Sequence, residues 1–132
     1  MDVPTDLQYT KEHEWVRSEE GVATVGITDY AQDQLGDIVY LDLPSPGATL
    51  SRFERMGEIE SVKAVSDLFS PITGEVVEVN QEVVDAPELV NEEPYGRGWL
   101  LKVRLGDADG PEGLLSAAAY QQLIEAEQAD QA

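Results

Sequence analysis

Five short segments rich in aliphatic and β-branched residues limit what this chain can fold into: VATVGIT (22–28), DIVYLDL (37–43), EIESV (58–62), GEVVEV (74–79) and GWLLKVRL (98–105). Each has strand length and ends near a turn signal, such as PSPG at 44–47 or the turn-rich GDADGPEG at 106–113. One helix is expected inside this series. In TDYAQDQLG, Thr28 can cap, Asp29 suits the first turn, Ala31 and Leu35 share a face and Gly36 can close the helix. The tail from about Leu114 to Ala129 is helical by pattern, with Leu115, Ala119 and Leu123 at helical spacing on a face expected to pack on the sheet. Strands first and helix last give a mainly β class with a helical appendage. The 132 residues fit one domain, with a core over about 7–105 and a C-terminal helical segment over about 111–129.

GDIVYLD (36–42) and GEVVEVN (74–80) share a pattern of Gly, acid, aliphatic, Val, any residue, aliphatic and Asp/Asn. Two copies cannot build a solenoid. They read either as a chance match or as equivalent strands of a two-fold domain, whose midpoint lies just before Lys63.

Known catalytic and binding patterns fail. His13 is the only histidine, and HEWVR carries Arg17 where a zinc site of the H-E-x-x-H type needs its second histidine. No G-x-S-x-G elbow exposes a serine nucleophile, so a hydrolase built on His13 has no support. His13 is expected to be packed or hydrogen-bonded beside Trp15. GRGWLL lacks the third glycine of a dinucleotide fingerprint, and DADG (107–110) reads as a turn rather than a calcium loop. With no cysteine, the chain has no disulfide, thiolate zinc site, iron–sulfur cluster or cysteine nucleophile, and no internal thiol that could exchange with a bound one. The 27 acidic and 8 basic side chains give a formal charge of −19. That charge disfavours nucleic acid and anionic membrane; it either favours partners with basic docking surfaces or simply keeps the protein in solution, and the two readings are compatible. No apolar run is long enough to span a membrane, and no basic, apolar leader opens the chain, so a cytoplasmic or already processed protein is expected.

Lys63 is one of three lysines, set between strand-like runs with Glu58, Glu60 and Asp67 close by in sequence. A lysine among acids keeps its ammonium, which makes it a poor base or Schiff-base amine but a recognisable acceptor for a modifying enzyme. The alternative is an ordinary turn residue.

The wording around Lys63 narrows this choice. ESVKAVSD followed by SPITGEVVEVN resembles the lipoyl-attachment segment of the glycine cleavage system H proteins. YTKEHEWVR (9–17), VGITDYAQDQLGDIVYLDLPSPG (25–47) and PELVNEEPYGRGWLLKV (87–103) agree with that family in order, from about Leu7 to the tail helix. The resemblance implies a lipoyl/biotinyl-type barrel-sandwich hybrid, a flattened two-sheet β-barrel with short helices and a C-terminal helix. It presents lipoate as an amide on Lys63 at a tight hairpin turn.

The resemblance implies a non-catalytic carrier that shuttles an aminomethyl group. Pyridoxal-phosphate-dependent glycine decarboxylase loads the arm, aminomethyltransferase passes the carbon to tetrahydrofolate, and dihydrolipoamide dehydrogenase reoxidises it. Lipoate-attaching enzymes are further partners. The family docks its loaded arm in a cleft whose matching positions here are around Glu12, Glu14 and Asp67, with Gln34 at a position where some relatives have histidine. Glu60 and Asp67 are also candidates for recognition by the attaching enzyme. A relay that hands lipoate to other enzymes would look the same in sequence. A biotin carrier would set methionines where Val62 and Ala64 stand.

Overall fold

The computed structural model describes residues 2–106 and 113–131. The turn expected at Asp107–Gly110, and the expected start of the tail segment at 111, lie outside the described residues. Two antiparallel sheets face each other and do not close into a barrel. The larger uses β1 (Gln8–Tyr9), β2 (Glu14–Glu19), β3 (Val22–Ile27), β9 (Leu101–Leu105), β8 (Gly74–Val79) and β5 (Thr49–Leu50), in that spatial order. The smaller uses β4 (Ile38–Asp42), β6 (Arg55–Ser61) and β7 (Val65–Phe69). Between them, the inward residues of each strand, among them Val25, Leu41, Ile59, Leu68, Val76 and Val103, form one apolar core.

Helix α1 (Asp29–Leu35) forms where its caps place it. The Thr28 hydroxyl accepts from Ala31 N at 3.1 Å, and Gly36 ends the helix at φ 82°, ψ −158°, a conformation open to glycine alone. Two short helices, α2 (Gln81–Asp85) and α3 (Glu88–Glu92), lead into β9. Asn91 on α3 staples α1 to β4: its amide donates to the Gly36 carbonyl at 2.9 Å, and its oxygen accepts from Ile38 N at 2.9 Å. Trp15 packs flat against Gly26, where a Cβ would lie 2.6 Å from the indole.

Several details depart from the sequence reading. GEVVEV is not the strand that follows Lys63. It forms β8 of the larger sheet, and the run that returns from the lysine is VSDLF, β7. The two glycine-led copies therefore lie in different sheets, with different glycine roles. Gly36 needs its positive φ, whereas a Cβ on Gly74 would run into the Arg104 carbonyl. The C-terminal helix α4 (Ala117–Gln131) buries Tyr120 and Ile124 most deeply, while the expected Leu115 and Leu123 pack partly buried at the border of the same core. Leu115 precedes the helix and bridges to Tyr9. Tyr120 stacks on Tyr9 with ring centroids 4.6 Å apart, in a second core with Leu7, Trp15, Tyr30 and Ile124.

Candidate functional site

The β6–β7 hairpin turns over three residues, Val62, Lys63 and Ala64, and one buried serine organises it. Ser61 Oγ accepts from Lys63 N at 3.3 Å and from Ala64 N at 3.1 Å, while Ser61 N donates to the Ala64 carbonyl at 2.8 Å. Val62 N donates to the Asp37 carbonyl at 3.0 Å, which ties the turn to the start of β4. Lys63 is held at the tip with its side chain exposed. Its stem passes over the end of α1, with Cε 3.4 Å from the point a Cβ on Gly36 would occupy. Among the described residues the Lys63 ammonium forms no ion pair. Two of the three nearby acids are engaged elsewhere: Arg55 meets Glu58 Oε2 at 3.0 Å and Asp67 Oδ1 at 2.9 Å.

Beside the hairpin lies a groove of about 260 Å³ between the Glu12–Glu14 segment, α1, the open edge of β7 and α4. Its apolar wall includes Ile27, Ala31, Leu35, Ile59 and Leu68, and its acids are Glu12, Glu14, Asp67 and Glu127. Glu12 is exposed at the rim, as is Gln34 on α1. Glu14 is buried. Its carboxyl accepts from Thr10 Oγ1 at 2.6 Å and from Phe69 N at 3.2 Å, so it ties β2 to the edge of β7. Burial pushes its pKa up to about 8 against those hydrogen bonds, and Glu12 adds to the rise. Asp67 borders the groove, but its carboxylate turns to Arg55 on β6. Since Phe69 N points out of the sheet, strand alternation aims the main-chain N–H and C=O of Asp67 the same way, along the groove. Glu60 does not reach the groove. It lies on the opposite face of the smaller sheet, across from Tyr40 and Val65.

The structure brings Glu12, Glu14, Gln34 and Asp67 to one groove, holds Lys63 on the adjoining hairpin beside Gly36 and sets Glu60 apart. Sequence reasoning missed Ser61, Asn91 and a polar chain behind the groove. His13, in a turn at φ 71°, lies 2.8 Å from Tyr120 Oη through Nδ1, and its Nε2 lies 3.1 Å from Glu127 Oε2. Tyr120 Oη is 2.6 Å from Thr28 Oγ1, so the chain ends at the cap of α1. Burial pushes the Tyr120 phenol well above its ordinary pKa. Ser61 could have been suspected from a serine two residues before the lysine; the other contacts span the chain.

Two facing open sheets, a lysine held out at a hairpin tip and an adjoining groove with acids on an apolar wall define a carrier-type domain. The chain belongs to the glycine cleavage H-protein family, whose model matches residues 7–127. It is 58% identical over 127 residues to the glycine cleavage system H protein of Thermobifida fusca, covering 96% of this chain and 99% of that protein. It is 54% identical over 128 residues to the one from Marinobacter nauticus, covering 96% and 98%. A crystal structure of a glycine cleavage system H protein from Mycobacterium marinum superposes with a TM-score of 0.85 at 40% identity, covering 93% of this chain and 99% of that one. Among the described residues no helix is long and apolar enough to cross a membrane, and no group of three His, Cys, Asp or Glu is placed to hold a metal ion.

Proposed function

We propose that this chain, as one lipoyl-type domain, is the lipoyl-carrying component of a glycine cleavage system, with lipoate joined by an amide to Lys63. The observation that carries this reading is the position of Lys63: exposed at a hairpin tip, free of ion pairs among the described residues, and beside the groove. The other lysines are placed differently. Lys102 is half-buried within β9, 5.2 Å from the Trp99 ring, and Lys11 lies in the turn before β2.

The residues fit the group. Ile27, Leu35, Ile59 and Leu68 offer apolar contact for a hydrocarbon arm, and the lack of a side chain on Gly36 leaves room for the Lys63 stem. When bound, lipoate supplies a disulfide that is reduced as it accepts a carbon fragment and is later reoxidised. The chain's own residues tether, orient and shield. Ser61 and Asp37 fix the direction in which Lys63 leaves the sheet. Glu12 and the Asp67 main chain offer acceptors to a cationic amine at the groove, and the apolar wall limits water there. Glu14, with its raised pKa, holds the β7 edge in place and can take or give a proton near neutral pH.

The finer partners follow from this role: glycine decarboxylase, aminomethyltransferase, dihydrolipoamide dehydrogenase and a lipoate-attaching enzyme, in the cytoplasm. Forming the amide removes the Lys63 charge, which takes the formal total from −19 to −20. The test is intact mass. Purified from cells that make lipoate, the protein is expected to carry one lipoyl adduct, absent in Lys63→Arg. An adduct on Lys11 or Lys102 instead would overturn the assignment.

A further inference from the structure

Where it flanks Lys63, the outward face of the three-stranded sheet carries a cluster of exposed apolar side chains around Glu60. Val39 (50% exposed), Tyr40 (55%), Val62 (69%) and Val65 (60%) are four of the six large hydrophobic side chains left exposed among the described residues, so the exposure is concentrated here. Register explains the grouping. Tyr40 lies opposite Glu60 and Glu60 opposite Val65, so these side chains form a row across β4, β6 and β7. A register shift between Ile38 and Tyr40 inserts Val39, a bulge that sets two residues against one and widens the apolar strip. Val62 continues it into the turn. The next row on the same face is acidic: Asp42 opposite Glu58, and Glu58 opposite Asp67. Arg55, the cation beside that row, is already committed to Glu58 and Asp67.

We infer that this face, rather than the groove on the other side of β7, docks the enzyme that acylates Lys63. This rests on the reading of Lys63 as the attachment site. The occupant's chemistry follows from the surface: an apolar contact strip bordered by lysine and arginine side chains, matching the strip and the acid row. Its identity follows from reach. An enzyme that forms the amide must bring its acyl donor to Nζ, and so must cover the ground beside Lys63. An enzyme that works at the far end of a long flexible arm has no such need. In the step itself, Nζ gives its proton to a base and attacks the acyl carbon of an adenylated lipoyl donor made from lipoate and ATP with release of pyrophosphate. The N–C bond forms, the bond from acyl carbon to phosphate oxygen breaks, and AMP leaves with the electron pair.

The test is acylation of the full, lipoate-free chain by a lipoate–protein ligase with lipoate and ATP, followed by intact mass. Tyr40→Thr/Val65→Thr puts a strand-favouring β-branched residue at both positions, and Asp42→Lys reverses one charge in the acid row. Each is expected to raise KM for the carrier about tenfold with kcat within twofold. Val84→Thr, an exposed valine on α2 outside this face, is expected to behave as wild type. Matching melting curves confirm that the variants fold. Unchanged KM in both face variants, or a loss confined to kcat, overturns the docking face while leaving the attachment reading intact. A wild-type chain that takes no lipoate on Lys63 overturns both.

Discussion

The Glu14 carboxyl accepts a hydrogen bond from Phe69 N at 3.2 Å, and through it a strand of the six-stranded sheet holds the open edge of the three-stranded one. Glu14 also accepts from Thr10 Oγ1 and is almost fully buried, so the contact lies in a poorly hydrated place.

This relationship has a pH signature. Burial raises the Glu14 pKa from 4.5 to about 8. Between those values the folded chain holds a proton that the unfolded chain has released, so this group's stability contribution is full below about pH 4.5 and is lost as pH rises through about 8. The slope is at most about 1.4 kcal/mol per pH unit. Glu14→Gln is expected to flatten it: less stable than wild type at pH 5, and closer to or above wild type at pH 9. Urea unfolding across that range is the measurement, and parallel curves would contradict the assignment.

Gly36 closes α1 in a conformation that costs other residues about 1–3 kcal/mol. Gly36→Ala is expected to lower the urea midpoint with an unchanged slope. Asparagine rescues left-handed helical positions, but a ψ of −158° is not one of them. Gly36→Asn is therefore expected to be as damaging as alanine, and a clear rescue would show that the backbone relaxes.

Tyr120 Oη sits between Thr28 Oγ1 and His13 Nδ1, at 2.6 and 2.8 Å. Tyr120→Phe keeps the stacking on Tyr9 and strips a shared partner from two buried or half-buried groups. The expected cost is about 1–3 kcal/mol, seen in the thermal midpoint. Tyr120→Phe with a wild-type midpoint would show that water replaces the hydroxyl.

The same residues show what a sequence can carry. Helix α1 was legible because its signals are local: a threonine cap, an acid in the first turn and a closing glycine. The larger-sheet strands β3, β8 and β9 were legible from their aliphatic runs. β7 was not, because an edge strand with three of five residues exposed shows little alternation, and the stronger pattern of GEVVEV drew the pairing to itself. The α4 face was read in part: Leu115 and Leu123 do pack against the second core, but its two fully buried residues, Tyr120 and Ile124, were not named. One helical residue is about 100° of rotation, so the centre of the buried face falls on Tyr120 and Ile124, with Leu123 at its border. Lys63 and the residues around the groove followed from the family resemblance. The burial of Glu14 and the Asn91 staple depend on contacts 55 and 53 residues apart, beyond any local pattern.

Ser61 separates global from local stability. Its hydroxyl gathers the turn through an ordinary contact of 3.1 Å to Ala64 N and two long ones of 3.3 Å to Lys63 N and the Ala64 carbonyl. Ser61→Ala removes them, yet the two freed N–H groups belong to exposed residues that water can reach. The global cost is therefore expected to be small, about 0.5–1.5 kcal/mol, or a few degrees in thermal midpoint. The local effect is expected to be larger. Amide exchange at Lys63 and Ala64 should speed up by more than the global loss accounts for, while Ile59 and Leu68 in the strands follow the global change alone. A turn loosened in this way presents its lysine in many directions, so acylation of Lys63 should slow even where the sheet stays intact. Equal loss of protection in turn and strands, read by NMR exchange, would show instead that Ser61 supports the sheet rather than the presentation of the lysine.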